Sequence, residues 1–138
     1  MKNWRVLLVG GWVAAFAFAQ AAFALPAFRK AFEERYVKNN ANAAFAEQVK
    51  KEGCNVCHVK GENKEVRNAY GKVLADLIPG DAQERLKAAG ESGKAAEEAK
   101  LLEELQKAFT KAETTPVNGK DGETFGDRIK AGKLPAGE

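Results

Sequence analysis

The stretch NAAFAEQVKKEGCNVCH, residues 42–58, decides how the chain is read. Phe45 and Val49 stand four apart, the spacing of one helical face, among lysines, glutamates and a glutamine that suit a solvated face. Asn42 is an N-cap residue and Gly53 is the usual stop beyond a helix C-terminus. The segment is therefore a lysine-rich amphipathic helix that runs straight into two thiols and an imidazole, Cys54-Asn55-Val56-Cys57-His58. Two cysteines three apart can be a redox disulfide, half of a zinc site, or anchors for haem. What precedes them begins to choose, because a thioredoxin-like pair is expected beside a βαβ pattern and none is present here.

The rest of the chain carries the same helical period. PAFRKAFEERYV places Phe28, Phe32 and Tyr36 on one stripe after Pro26, and the asparagines at 39, 40 and 42 break it. VKGENK after His58 reads as a polar loop. EVRNAYGKVLADLI follows, with Val66, Tyr70, Val73, Leu74, Leu77 and Ile78 on one face and Pro79-Gly80 as the stop. Gly71 within that face costs about 1 kcal/mol against alanine, which points to close packing at that position. Asp81 caps a short helix that ends near Gly90. Ser92 starts the longest regular element, with Leu101, Leu102, Leu105 and Phe109 inward. TTPVNGKDGE is turn-rich, and a last short helix carries Phe125 and Ile129 before a frayed tail, so that residues 115–138 form a turn-rich C-terminal segment. No strand pair and no internal repeat emerges, and the fold class is all-α.

The N-terminus has the outline of a secretory signal peptide. Lys2 and Arg5 precede an uncharged apolar run over 6–19, and Ala22-Phe23-Ala24 gives a small-residue cleavage pattern. Cleavage after Ala24 leaves residues 25–138, one domain's worth. The apolar stretch over 6–28 is also long enough to span a bilayer, so an uncleaved anchor is the competing reading, and membrane contact is expected only in that case. The chain carries a formal charge of +3, and loss of Lys2 and Arg5 brings it nearer to balance. Interspersed lysines and glutamates give no footprint for nucleic acid. Large apolar residues are sparse beyond residue 24, so a bulky apolar prosthetic group would supply core that the side chains do not.

Ligand counting then separates the readings of CNVCH. Structural zinc takes four thiolate or imidazole ligands, whereas the chain has two cysteines and one histidine in all. A simple disulfide between Cys54 and Cys57 closes so short a loop that its entropic stabilisation is small. Covalent haem c uses all three side chains. Each thiol forms a thioether with one vinyl group, and the next residue turns its imidazole onto the iron, which is the geometry that C-x-x-C-H states. One pattern accounts for every cysteine and the lone histidine of an exported, helical chain.

On CNVCH and the helix before it, and more weakly through RNAYG, the chain resembles the monohaem c-type cytochromes. The resemblance implies a small helical cytochrome c-like domain wrapped around one covalent haem c. Cys54 and Cys57 would carry the thioethers, and His58 would be the proximal iron ligand. It further implies one-electron transfer, with no catalytic residues, in the periplasm or an equivalent extracytoplasmic space. Redox proteins and a haem-maturation system would be the partners. From about Asp81 onward only helical character can be compared.

The departure from that family lies on the far side of the iron. Many of its members place a methionine sulfur opposite the histidine, but residues 25–138 contain no methionine and no second histidine. Three readings stay open. The iron is five-coordinate, or a lysine ligates as a neutral amine, with Lys60, Lys64 and Lys72 nearest in sequence, or Tyr70 ligates as phenolate. Tyr70 is read first as core, in register with Val66, Val73 and Leu77. Arg67 and Asn68 are candidates to hydrogen-bond haem propionates and otherwise form a solvated helix start. A five-coordinate haem would make the chain a small-ligand binding or sensor module for CO or NO, the alternative to an electron carrier.

Overall fold

A computed structural model describes residues 25–119 and 122–137. The segment 1–24, read above as signal peptide or anchor, lies outside the described residues. Among those described, no helix is long and apolar enough to cross a membrane.

The elements are helices, as the periodicity requires. Helix α1 (Pro26–Phe32) begins with proline in its first turn, where the missing N–H costs nothing. It continues as a π turn over Glu33–Val37, closed by the Lys38 N–H on the Glu33 carbonyl at 3.1 Å. The widened turn leaves both Phe32 and Tyr36 in the core, with ring centroids 4.9 Å apart. Helix α2 (Ala43–Glu52) is capped as expected by Asn42, whose side chain accepts from the N–H groups of Ala44 and Phe45. It buries Phe45 and Val49. Gly53 ends it at φ +55°, a conformation that a side chain would strain.

Helix α3 (Ala69–Leu77) is shorter than the sequence pattern predicts. Asn68 caps it, so Val66 falls in the preceding loop, 41% exposed, rather than on the buried face. Tyr70, Leu74 and Ile78 are buried as expected.

The long element α4 (Ala82–Ala112) is two limbs joined at Gly90, which sits at φ 62° and ψ 180°. Asp81 caps the first limb through the N–H groups of Gln83 and Glu84. Arg85 proves the bend, because its Nε reaches Glu97 at 2.8 Å and its Nη1 reaches Glu104. In a straight helix residues 85 and 97 would lie about 18 Å apart. The limbs therefore fold back on each other as a hairpin, with Ser92 inside the second limb. That limb buries Leu101, Leu105, Ala108, Phe109 and Ala112.

Helix α5 (Phe125–Lys130) starts with a capping box between Thr124 and Asp127. Gly126 lets it lie against the end of α4, where a Cβ would come within 2.5 Å of the Glu113 carbonyl oxygen. The tail beyond it is not frayed through residue 137. Pro135 is fully buried, and Arg128 Nε holds the Leu134 carbonyl at 3.0 Å.

An aromatic cluster joins these elements. Phe109 meets Phe32 and Tyr36 edge-on at 6.1 and 5.4 Å, and Tyr70 lies 5.3 Å from Phe125. The Tyr36 hydroxyl donates to Glu113 at 2.8 Å, and Arg35 reaches the same carboxylate while lying over the Tyr36 ring. Burial, then that bond, pushes the Tyr36 phenol well above its ordinary value, so it stays neutral.

Helix α3 meets the turn of the cysteine motif backbone to backbone. A Cβ at Gly71 would stand 2.0 Å from the Cys57 carbonyl oxygen. Gly71→Ala is expected to destabilise the protein by about 1–3 kcal/mol through overpacking, despite alanine's better helix propensity. The shift of the urea unfolding midpoint measures it.

Candidate functional site

The motif is shaped by local backbone bonds. After Gly53 the chain enters a 3₁₀ turn over Gly53–Val56, and the Cys54 carbonyl accepts from the N–H groups of Cys57 and His58 at 3.2 and 3.1 Å. One tight turn thus gathers Cys54, Cys57 and His58. Both cysteines are free thiols and half-buried.

The loop after His58 returns to it. The Val59 N–H bonds the Val66 carbonyl at 3.0 Å, and His58 and Arg67 form an antiparallel bridge. Asn68 then locks the arrangement. Its backbone N–H bonds the Cys57 carbonyl at 3.1 Å, and its Nδ2 donates to the carbonyls of Asn55 and Val56 at 3.1 and 3.0 Å. Its Oδ1 accepts from the Gly71 N–H, capping α3. The sequence reading had Asn68 as a propionate partner or a solvated helix start. In the structure its Nδ2 braces the motif and its Oδ1 caps α3, so both polar atoms of the side chain are committed. The signal for this was available in its cap position before α3, but the carbonyls it grips come from a turn twelve and thirteen residues earlier.

Cys54, Cys57 and His58 open into one cleft of about 370 Å³, within the range of small-molecule and cofactor sites. Its walls are largely aliphatic and aromatic, from Phe28 and Phe32 of α1, Leu74 and Ile78 of α3, and Leu105 and Phe109 of α4. Arg29, Lys64 and Arg67 also border it. Arg67 stands 3.7 Å from Asp81, and Arg29 pairs with Glu33 at 2.7 Å.

The four candidates for a second axial ligand are placed differently. Lys64 alone of them borders the cleft, and its Nζ bonds Asn55 Oδ1 at 3.3 Å. Lys60 is exposed and paired with Glu52 at 3.2 Å. Lys72 is exposed on α3, away from the cleft lining. Tyr70 is completely buried yet does not line the cleft, since its ring packs between Phe32 and Phe125. Its hydroxyl interacts electrostatically with Tyr36 but makes no hydrogen bond among the described residues. Burial above all pushes its phenol far up, which opposes a phenolate.

The electrostatics at the motif favour neutral side chains. Burial pushes the Cys57 thiol up to about 12, and neighbouring Cys54 adds to this. His58 is pulled below its ordinary value by burial first, then by the charges of Lys64 and Arg67. The backbone carbonyls of Lys64 and Val66 act in the opposite sense. Its Nδ1 is buried without a hydrogen-bond partner among the described residues. The imidazole is therefore held uncharged near neutral pH, the form that ligates metals.

Comparison with family models, with curated proteins and with solved structures finds no match to this chain.

Two outcomes follow from this geometry. Asn68→Ala removes a cap and two donors to the motif, and is expected to cost about 2 kcal/mol or more. Asn68→Asp keeps the capping oxygen but lacks the donors, so its denaturation midpoint should fall between those of Asn68→Ala and wild type. NMR should show His58 titrating below about 6.5, the ordinary imidazole value. Because the folded value is the depressed one, its contribution to stability is present above the unfolded value and is lost as pH falls through the folded value. Denaturation midpoints should decline across that window, and a His58→Gln variant should show less of the decline.

Proposed function

We propose that the chain is an exported one-electron carrier holding one covalent haem c. The observation that carries this reading is that both thiols and the chain's lone histidine open into the same largely apolar cleft. The residues suit the group. Cys54 and Cys57 would hold it through thioethers, and His58 would ligate its iron as a neutral imidazole. An apolar wall would receive the macrocycle, and the His58 ring, flanked by the carbonyls of Lys64 and Val66, opens into the same cleft. When bound, haem supplies an iron centre that changes oxidation state by one electron.

The protein's own residues do the rest. Asn68 and Gly71 fix the motif against α3, so the imidazole and both thiols keep one orientation. Phe28, Phe32, Leu74, Ile78, Leu105 and Phe109 exclude water, which lowers the local dielectric around any redox group seated there. Arg29, Lys64 and Arg67 border the cleft and would supply positive charge toward the propionates of a bound haem. In this reading the role is that of a carrier rather than an enzyme. The N-terminal segment supports export to the periplasm or its equivalent, where redox proteins would be the partners and a haem-maturation system would attach the group.

The test is covalent retention. Full-length protein made with a haem-maturation system is expected to keep its colour through acid-acetone extraction. Cys54→Ala and Cys57→Ala should each lose one of the two attachments in mass spectra of haem peptides. Colourless wild-type protein would falsify the assignment.

A further inference from the structure

We infer that the first limb of α4, residues 82–89, is a lid on the cysteine cleft, hinged at Gly80 and Gly90 and latched by Arg85. Such a lid would be how a bulky group of the kind proposed above reaches the thiols, and its opening is measurable without that group.

The limb is the least embedded helical wall of the cleft. Ala82, Gln83 and Glu84 of its first turn line the cleft together with Cys54 and Cys57. Of the other helical walls, α1 buries Ala31 and Phe32, α3 buries Tyr70 and Leu74, and the second limb of α4 buries five side chains. The first limb buries none. Ala82 and Leu86 reach the core half-buried, and Glu84, Lys87 and Ala88 are exposed. Open volume lies beyond it as well. A second groove of about 670 Å³ separates Leu86 and Lys87 from Pro26 and Ala27 at the start of α1, and Gln83 borders both volumes. A wall with open space on two faces lacks the dispersion contacts of a packed helix, so its position rests on few points.

Its ends are glycines in the left-handed region, Gly80 at φ 72° and Gly90 at φ 62°. A Cβ at Gly90 would meet nothing within 4 Å among the described residues, so conformation and not crowding asks for glycine there. Positions that absorb backbone rotation at the ends of an element are what a hinge requires.

One side chain holds the limb shut. Arg85 Nε donates to Glu97 at 2.8 Å, its Nη1 donates to the Pro79 carbonyl at 2.8 Å, and its two Nη atoms grip the two oxygens of Glu104 as a fork. A single guanidinium thus joins the hinge at Pro79-Gly80 and both limbs. Asp81 adds a looser pair with Arg67 at 3.7 Å, on the motif side of the cleft. Arg85 keeps 22% of its side-chain surface and Glu104 28%, so water competes for the latch and lets it release. Once released, eight helical residues are too few to persist without tertiary support. Opening therefore frays the limb and uncovers the thiols while the second limb stays in the core.

The experiment uses full-length protein with reduced thiols. Its probes are hydrogen exchange and two thiol reagents, the bulky apolar N-(1-pyrenyl)maleimide and the compact methyl methanethiosulfonate. In wild type the amides of 86–89 are expected to exchange through an opening with little urea dependence, whereas those of 101–109 follow global unfolding. Arg85→Gln should speed the pyrenyl reagent about five- to tenfold and the compact one less than about twofold, with protection of 101–109 retained. Glu97→Gln keeps the Glu104 fork and should give a smaller rise in the same direction. Wild-type amides of 86–89 that open only together with 101–109 overturn the lid, whatever the variants do. Arg85→Gln protein that speeds both reagents alike, or neither, also overturns it. None of these readings involves haem, so a failed lid leaves the haem reading to its own test.

Discussion

The contact between the Cys57 carbonyl and the α-carbon of Gly71 is the constraint around which this fold is arranged. Two backbones meet where one of them would normally carry a side chain, so α3 is seated directly on the turn that presents the thiols and the imidazole. Asn68 secures the same junction from the adjoining position with bonds to Asn55, Val56 and the Gly71 amide. Once α3 is fixed there, Leu74 and Ile78 border the cleft and Tyr70 turns the other way, into the aromatic cluster. The second limb of α4 closes both sides, with Leu105 and Phe109 at the cleft and Ala108 and Ala112 in the core.

Electrostatic groups are divided along similar lines. Arg35, Tyr36 and Glu113 form a bonded group where α1 meets the end of α4, and the tyrosine there remains protonated. Arg85 ties the two limbs of α4 through Glu97 and Glu104 at a site open enough for water to share the charge. Such pairs fix direction more than they add stability. At the motif the balance is different. His58 and Cys57 are both pushed toward their neutral forms, and burial is the first cause in each case.

Most of the helices were legible because their ends are written in residue types with strong local preferences. Asn42, Gly53, Asp81 and Gly90 stand where the periodicity starts or stops, and each acts locally, within a turn of its own position. Gly71 was legible as a site of close packing, though not as to what it packs against. The misses are long-range. Val66 fits the helical face of α3 by spacing, but Asn68 caps the helix two residues later and the face begins at Tyr70. The C-terminal tail has little periodic pattern, yet Pro135 is buried because α5 delivers it to the core. The π turn after Phe32 has no signature in residue type. The cysteine motif lies within five consecutive residues, whereas the walls of its cleft come from three helices spread across the chain and required the fold.

The segment 59–66 gains a particular standing from the bonds that close it. Its two ends are pinned together by the Val59–Val66 bond, and its flanks by the His58–Arg67 bridge and the Asn68–Cys57 bond. It is therefore a small Ω-like excursion whose ends are fixed by the scaffold and whose tip faces water. Its side chains contribute little to the helical core, while the carbonyls of Lys64 and Val66 and the charge of Lys64 act directly on the imidazole. Substitutions there can retune the polarity over His58 without moving a helix, which makes the excursion a modular dial on an otherwise rigid mount.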